Sequence, residues 1–179
     1  KEKENKLISK PYYLNSFPSF SWRDRIKVKL SSDRGIDFKN NVRGNKFHDL
    51  MSFIYNFNDI DSGVEKALNK NIITKKEKPY FTKIIQNLLK DKDIREYYDP
   101  KLKSFNEIEL LNDNGDVYRL DRVVELAKNS VAVIDYKTGG NNEQDKNQVN
   151  YYKELLSKIY KGEVYGFIAY IDPIKIVKI

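Results

Sequence analysis

The sequence has no cysteine among its 179 residues and only one histidine. Without thiols, a disulfide, a thiolate zinc site and an iron–sulfur cluster are all excluded. No apolar run approaches the roughly 18 residues that a membrane-spanning helix requires, and no signal-peptide pattern opens the chain. These absences lead us to expect a cytoplasmic protein.

Disorder is also disfavoured, because 40% of the residues are apolar and 13% are aromatic. A chain of this length is expected to form one ordinary domain with its own hydrophobic core. The net charge of +7 is compatible with a polyanionic partner. The chain is also rich in Lys, Asn and Ile, as an AT-rich genome would make it, so charge alone does not decide for nucleic acid.

The order of predicted elements indicates one α/β domain over residues 42–179, with an irregular segment at residues 1–41 packing on it. Apolar residues at helical spacing predict helices at residues 44–57, 62–70, 77–97 and 148–160. Runs rich in Val, Ile, Leu, Phe and Tyr predict strands at residues 104–111, 116–126, 130–138, 163–171 and 174–179. Tight turns join the first three strands into an antiparallel meander, and a crossover helix then leads to a further strand, which makes the sheet mixed.

The stretch VAVIDYKTGG places two opposite charges at the end of a core strand. Strand side chains alternate, so Asp135 and Lys137 point the same way, roughly 7 Å apart, while Tyr136 lies on the other face. This pair is either an ion pair that ends the strand or part of a catalytic centre.

Asp121 lies on the preceding strand, on the face shared by Val117, Arg119, Val123 and Glu125. The other face is predicted to carry Tyr118, Leu120, Val124 and Leu126, with Arg122 as the polar exception. A neighbouring strand could bring Asp121 beside Asp135, and two such carboxylates are stable together mainly when a cation lies between them. Mg²⁺ or Mn²⁺ suits these oxygen ligands, and a nearby lysine could stabilise a phosphorane-like transition state. The alternative is that Asp121 is a solvated charge.

Two weaker features accompany this pair of strands. His48 is one position off the apolar stripe of its helix, which suits either a ligand or a partly buried structural histidine. Gln148 and Tyr152 are four residues apart and therefore project from one helix face, a spacing that is commonplace.

Taken together, the motifs GNKFHDL, GDVYRLDRVV, VIDYKTG and QVNYY resemble the RecB-like branch of the PD-(D/E)XK nucleases. More narrowly, they resemble the C-terminal nuclease domain of bacterial UvrD/Rep-type helicase–nucleases, relatives of the AddA subunit. The resemblance covers roughly residues 42–179 and implies a restriction-endonuclease-like core flanked by helices.

The resemblance also implies roles for the residues that match its motifs. His48, Asp121 and Asp135 correspond to side-chain metal ligands, and the two aspartates are also catalytic. The backbone carbonyl of Tyr136 would face the metal as well. Glu107 falls near a recurrent glutamate of the family and is expected to lie outside the direct ligands.

Lys137 corresponds to the catalytic lysine of the family. Gln148 and Tyr152 match its Gln-x-x-x-Tyr motif, which supports the site and contacts DNA. The implied activity is a Mg²⁺- or Mn²⁺-dependent deoxyribonuclease, expected to be an exonuclease that acts on single-stranded DNA in the bacterial cytoplasm.

In this branch a helicase motor normally feeds the nuclease, for DNA repair and recombination. The sequence has no G-x-x-x-x-G-K-[ST] loop, so no nucleotide site is expected in this fragment. We therefore expect a domain excised from a larger helicase–nuclease, or one that meets its motor as a partner subunit. The alternative is a catalytically inactive nuclease fold that binds DNA or docks on a helicase.

Further candidate DNA contacts are Arg122, Lys75, Lys76 and Lys78. The lysines are more typical of solvated helix faces. Near the start of the chain, a group of aromatic residues suits base stacking, a contact surface for the motor or an ordinary core: Tyr12, Tyr13, Phe17, Phe20 and Trp22.

Overall fold

The computed structural model describes residues 38–140 and 142–179. Its centre is a five-stranded sheet in the order β1-β2-β3-β4-β5. The strands are β1 Ser104–Leu111, β2 Val117–Glu125, β3 Val131–Lys137, β4 Val164–Ile171 and β5 Ile174–Lys178. The helices are α1 Phe38–Met51, α2 Ile60–Asn69, α3 Lys78–Leu88, α4 Lys92–Arg95 and α5 Glu143–Ser157.

The connections of the sheet confirm the predicted α/β architecture. β1, β2 and β3 form an antiparallel meander, and α5 crosses over to β4, which is parallel to β3. β5 then pairs antiparallel with β4. Because β3 and β4 are parallel, their carboxyl ends lie at the same edge of the sheet, where Lys137 pairs with Tyr170. We call this the carboxyl edge of β3 and β4 below.

Helices cover both faces of the sheet. On one face, Phe47 of α1 and Phe81 of α3 pack over Ile134 of β3. On the other face, Val149 and Leu156 of α5 form a second core with the sheet. β3 is buried along almost its whole length, which matches its continuous apolar sequence and makes it a rigid support for the residues at its end.

The predicted bounds of three helices are wrong, and α1 also begins earlier, at Phe38 rather than at residue 44. α1 ends at Met51 rather than at residue 57, because its last carbonyls are taken by side chains from the sheet and Asn56 caps the next turn. The predicted helix at 77–97 is broken after α3, because the Asp91 side chain accepts a hydrogen bond from Asp93 N and starts α4. α5 begins at Glu143 rather than at residue 148, because Asn142 caps it by accepting from Asp145 N.

The predicted faces of β2 are also wrong, because the alternation breaks at Asp121. Tyr118 and Leu120 pack with the α5 core, whereas Val124 packs with the opposite core. The pairing of β1 with β2 skips Asp121 and Glu107, and Glu107 has a φ of 57°. A positive φ is costly for a residue with a side chain, so this kink is held by the surrounding contacts.

Within the described residues, no helix is both long and apolar enough to cross a membrane. The predicted irregular segment lies outside them except for residues 38–41, which belong to α1. The early aromatic residues, Tyr12, Tyr13, Phe17, Phe20 and Trp22, lie outside the described residues as well.

Candidate active site

β2 and β3 separate where the two aspartates stand. Their backbone pairing ends at Arg122 with Ile134, and the next residue on each strand toward the carboxyl edge of β3 and β4 is Asp121 or Asp135. Asp121 Oδ2 accepts a hydrogen bond from the backbone N–H of Tyr136 at 2.8 Å. The Asp121 carboxylate thus bridges to the neighbouring strand beyond the last backbone pair, and it lies close enough to Asp135 for the two charges to interact.

His48 reaches the same point from α1. Its Nδ1 lies 3.1 Å from Asp121 Oδ1, and its ring meets the edge of the Tyr136 ring at 6.0 Å between centroids. Gly44, one turn earlier on α1, allows this approach, because a Cβ there would lie only 3.1 Å from Thr138 Oγ1. α1 is therefore packed closely enough against the end of β3 to present its histidine to Asp121.

Three side chains form a candidate set of metal ligands. His48, Glu107 and Asp121 each offer one ligand atom, and these atoms lie within 4.8 Å of one another. Glu107 Oε2 is held by Arg119 Nη1 at 2.7 Å. The structure therefore places Glu107 among the potential ligands, closer to the centre than the sequence analysis placed it.

Asp135 is 2% exposed and lies beside this set. Lys137 Nζ forms an ion pair with its Oδ2 at 2.7 Å, and this buried oxygen has no other polar partner among the described residues. Burial, and then the negative charge of Asp121, raise the pKa of Asp135 to about 7 against the opposing effect of Lys137. A buried carboxylate oxygen left in this state fits a divalent cation.

The other two groups have pKa values that favour their charged forms. For Asp121, burial acts to raise the pKa, but the charge and hydrogen bond of His48 and the Tyr136 N–H outweigh it and the pKa is lowered. For His48, burial acts to lower the pKa, but the neighbouring Asp121 raises it overall. Each of these two groups therefore favours the charged form of the other.

Lys137 is oriented by the helix on the other face. Gln148 Oε1 accepts from Lys137 Nζ at 2.8 Å, and Gln148 Nε2 donates to Tyr152 Oη at 2.6 Å. Tyr152 Oη in turn donates to the backbone carbonyl of Arg119 on β2 at 3.3 Å. Burial, followed by the charge of Asp135, raises the pKa of Tyr152 to about 12, so it stays a neutral donor.

The predicted DNA contact of Arg122 is wrong. Its side chain is 1% exposed and donates to the carbonyls of Ile54, Tyr55 and Tyr97 and to Asn106 Oδ1. A guanidinium enclosed in this way has no surface to offer a phosphate.

The three candidate lysines differ in their surroundings. Lys75 and Lys76 are exposed, whereas the ammonium of Lys78 is paired with Glu65. Lys76 also lines a groove of about 480 Å³ between α1 and α3, together with Val42, Arg43, Lys46, Glu77, Tyr80 and Phe81.

The sequence analysis missed Asn106, whose side-chain amide donates to the backbone carbonyls of Met51, Ser52 and Ile54. A signal was present, because Asn106 and Glu107 are two consecutive polar residues that break the polar–apolar alternation between Phe105 and Ile108. Likewise, Arg122 stood out as a charge on an apolar face. Both irregularities mark side chains that reach the end of α1 or the ligand set.

Comparison with known proteins is consistent with this geometry. The family model of the PD-(D/E)XK nuclease superfamily matches residues 19–173. No curated protein sequence gives a significant match.

Two solved structures show a partial similarity. A candidate exonuclease from Eubacterium rectale is 14% identical, with a TM-score of 0.46, over 74% of this chain and 59% of that protein. The protein SSO0001 is 19% identical, with a TM-score of 0.34, over 74% of this chain and 65% of its own length. This chain thus spans less than two thirds of either protein. Since the family model covers most of the chain, the chain belongs to the PD-(D/E)XK nuclease superfamily.

Proposed function

We propose that this chain is a Mg²⁺- or Mn²⁺-dependent deoxyribonuclease domain that hydrolyses phosphodiester bonds. We further propose that it acts as an exonuclease on single strands, which a helicase motor delivers during DNA repair in a bacterial cytoplasm. The motor would be joined in cis or be a partner subunit, as in the AddA-like relatives that the sequence resembles.

The observation that supports this function best is the state of Asp135. A buried carboxylate next to a second carboxylate, whose pKa is raised despite its ion pair with Lys137, is unfavourable in a protein that has only a structural task. His48, Glu107, Asp121 and the carbonyl of Tyr136 would complete the ligand set around it. In a nuclease that binds a divalent cation, the cation would offset the negative charges of these carboxylates.

The cation and the side chains around it would contribute to catalysis in different ways. A divalent cation bound there would neutralise charge on the phosphate and lower the pKa of water. Lys137 Nζ holds a positive charge beside Asp135, in place to stabilise negative charge that develops on the phosphoryl oxygens. Gln148 and Tyr152 fix the direction of that ammonium, so that less reorganisation is needed during the reaction.

The groove between α1 and α3 supports a path for the DNA strand. Tyr80 is 42% exposed at its edge, and Arg43 Nη1 donates to the Tyr80 hydroxyl at 3.2 Å, which orients the ring. Lys46 and Lys76 add positive charge, although Lys46 is paired with Glu77 at 2.6 Å. An oriented aromatic ring among cations is typical of surfaces that stack bases of single-stranded DNA.

The direct test is cleavage of end-labelled linear and circular single strands and of blunt duplex. We expect degradation of the linear single strand with Mg²⁺ or Mn²⁺, none with EDTA, and little cutting of the duplex. Cleavage of the circle would change the assignment from exonuclease to endonuclease. Absence of cleavage of every substrate, with binding retained, would support an inactive DNA-binding module instead.

A further inference from the structure

The carboxyl end of α1 is held by side chains from the sheet. Asn106 Nδ2 on β1 lies 3.2 Å from the carbonyl oxygens of Met51 and Ser52 and 3.0 Å from that of Ile54. The last carbonyls of a helix have no partners within the helix and need donors from elsewhere. The two N–H groups of one amide are therefore shared among three carbonyls at and just past the end of the helix that carries His48.

Arg122 on β2 donates hydrogen bonds both to Asn106 and to the backbone just past the end of α1. Its Nη1 donates to Ile54 O at 3.2 Å and to Asn106 Oδ1 at 3.0 Å, and its Nη2 donates to Tyr55 O at 2.7 Å. The guanidinium also lies 3.9 Å above the ring of Tyr98. The bond to Asn106 Oδ1 fixes which way the amide points, because it leaves Nδ2 facing the helix end.

The two strand residues are placed so that they relate α1 to the metal ligands. Asn106 and Arg122 are direct partners across β1 and β2, and Asp121, the partner of His48, immediately precedes Arg122. On α1, the carbonyl of His48 accepts from Ser52 N at 3.0 Å, and Ser52 O is one of the acceptors of Asn106. The paired segments of β1 and β2 thus contact both the His48 imidazole, through Asp121, and the last turn of α1, through Asn106.

We propose that Asn106 and Arg122 are positioning residues. They fix the last turn of α1 and thereby place His48 beside Asp121, so that both side chains can bind one metal ion. This inference rests on the proposed function, because it treats His48 as a metal ligand. Neither residue touches the reacting atoms. They act on metal binding through α1, so replacing them should not change metal affinity once His48 is replaced.

Mn²⁺ affinity of the whole chain, measured by calorimetry, tests this with a double-mutant cycle. Asn106→Ala should weaken binding by about 10–100-fold, as is typical for groups that orient metal ligands. In a His48→Ala background the same substitution should cause less than a further twofold loss. Equal losses in the two backgrounds would contradict the proposal.

Asn112→Ala is the matched control, since Asn112 lies just past the other end of β1 and bonds to Asp116 and Tyr151 rather than to α1. It should change Mn²⁺ affinity by less than twofold. If Asn106→Ala does not fold, Arg122→Lys replaces it, because lysine keeps the charge but cannot make the forked contacts. The same loss, again absent without His48, is then expected.

Amide hydrogen exchange in EDTA supplies a readout without metal. Asn106→Ala should speed exchange in the last turn of α1, at Met51 and Ser52, while β3 keeps its protection. Unchanged exchange there, or unchanged Mn²⁺ affinity beside normal binding by the wild type, would refute this inference alone. A wild type that binds no Mn²⁺ would refute both this inference and the proposed function.

Discussion

Replacing Asp135 with asparagine should stabilise the metal-free protein while it removes the activity. The change keeps the size of the side chain but deletes a charge that the fold holds unfavourably. Burial and the neighbouring Asp121 raise the pKa of Asp135 from 3.8 to about 7. The ionised carboxylate therefore lowers the free energy of unfolding, and a neutral amide does not.

The pH dependence follows from the direction of this shift. Between pH 3.8 and about 7 the folded protein binds the proton of Asp135 more tightly than the unfolded chain does. Stability therefore falls as the pH rises through this interval and stays low above it. At about 1.4 kcal/mol for each pH unit, the cost is about 1.5 kcal/mol at pH 5 and at most about 4 kcal/mol at pH 8.

Urea denaturation in EDTA at several pH values measures this difference. Asp135→Asn should be more stable than the wild type, by a margin that grows from pH 5 to pH 8. With Mg²⁺ present at about 100 times its dissociation constant, the wild type alone should gain about 2.7 kcal/mol. A variant that is less stable than the wild type in EDTA at pH 8 would refute the reasoning, because Asp135 would then be a stabilising ion-pair residue.

Three further predictions concern other parts of the site. Lys137→Ala should lower the cleavage rate by about 10²–10³-fold or more without changing Mn²⁺ affinity, because the lysine acts on the transition state; single-turnover kinetics and calorimetry measure the two. His48→Ala should weaken Mn²⁺ binding more than it lowers the melting temperature, whereas a purely structural histidine would show the opposite. Tyr80→Ala should weaken binding of a single-stranded oligonucleotide by about fivefold or more. Tyr80→Phe, which keeps the ring, should bind the oligonucleotide nearly as well as the wild type. Tyr80→Ala should still hydrolyse the small substrate bis(p-nitrophenyl) phosphate at a near-normal rate.

Local periodicity was sufficient to predict the part of the site that lies on single elements. The alternation along β3 placed Asp135 and Lys137 on one side, and the structure pairs them at 2.7 Å. The spacing of Gln148 and Tyr152 placed them on one face of α5, where they bond to each other. These relations depend only on the geometry of one strand or one helix, which the sequence determines.

The rest depends on contacts between distant segments. Asn106 bonds to carbonyls 52 to 55 residues away in the sequence, and no local pattern indicates which helix end lies above it. The kink at Glu107 and Asp121 breaks the alternation on which the face prediction for β2 relied. The role of Arg122 was mispredicted because it also depends on distant contacts. From the sequence alone, a charged residue on a strand can equally face DNA or bond to buried carbonyls.

The most direct test of the metal centre is an anomalous difference map from crystals of the protein grown with Mn²⁺. We predict a peak within bonding distance of Asp121 and Asp135, with His48 Nδ1 or Nε2 turned toward it. Glu107 should lie beside the same peak, as the clustering of its carboxylate with His48 and Asp121 indicates. An Asp121–Asp135 cleft that holds no Mn²⁺ at a concentration that supports cleavage would contradict the account.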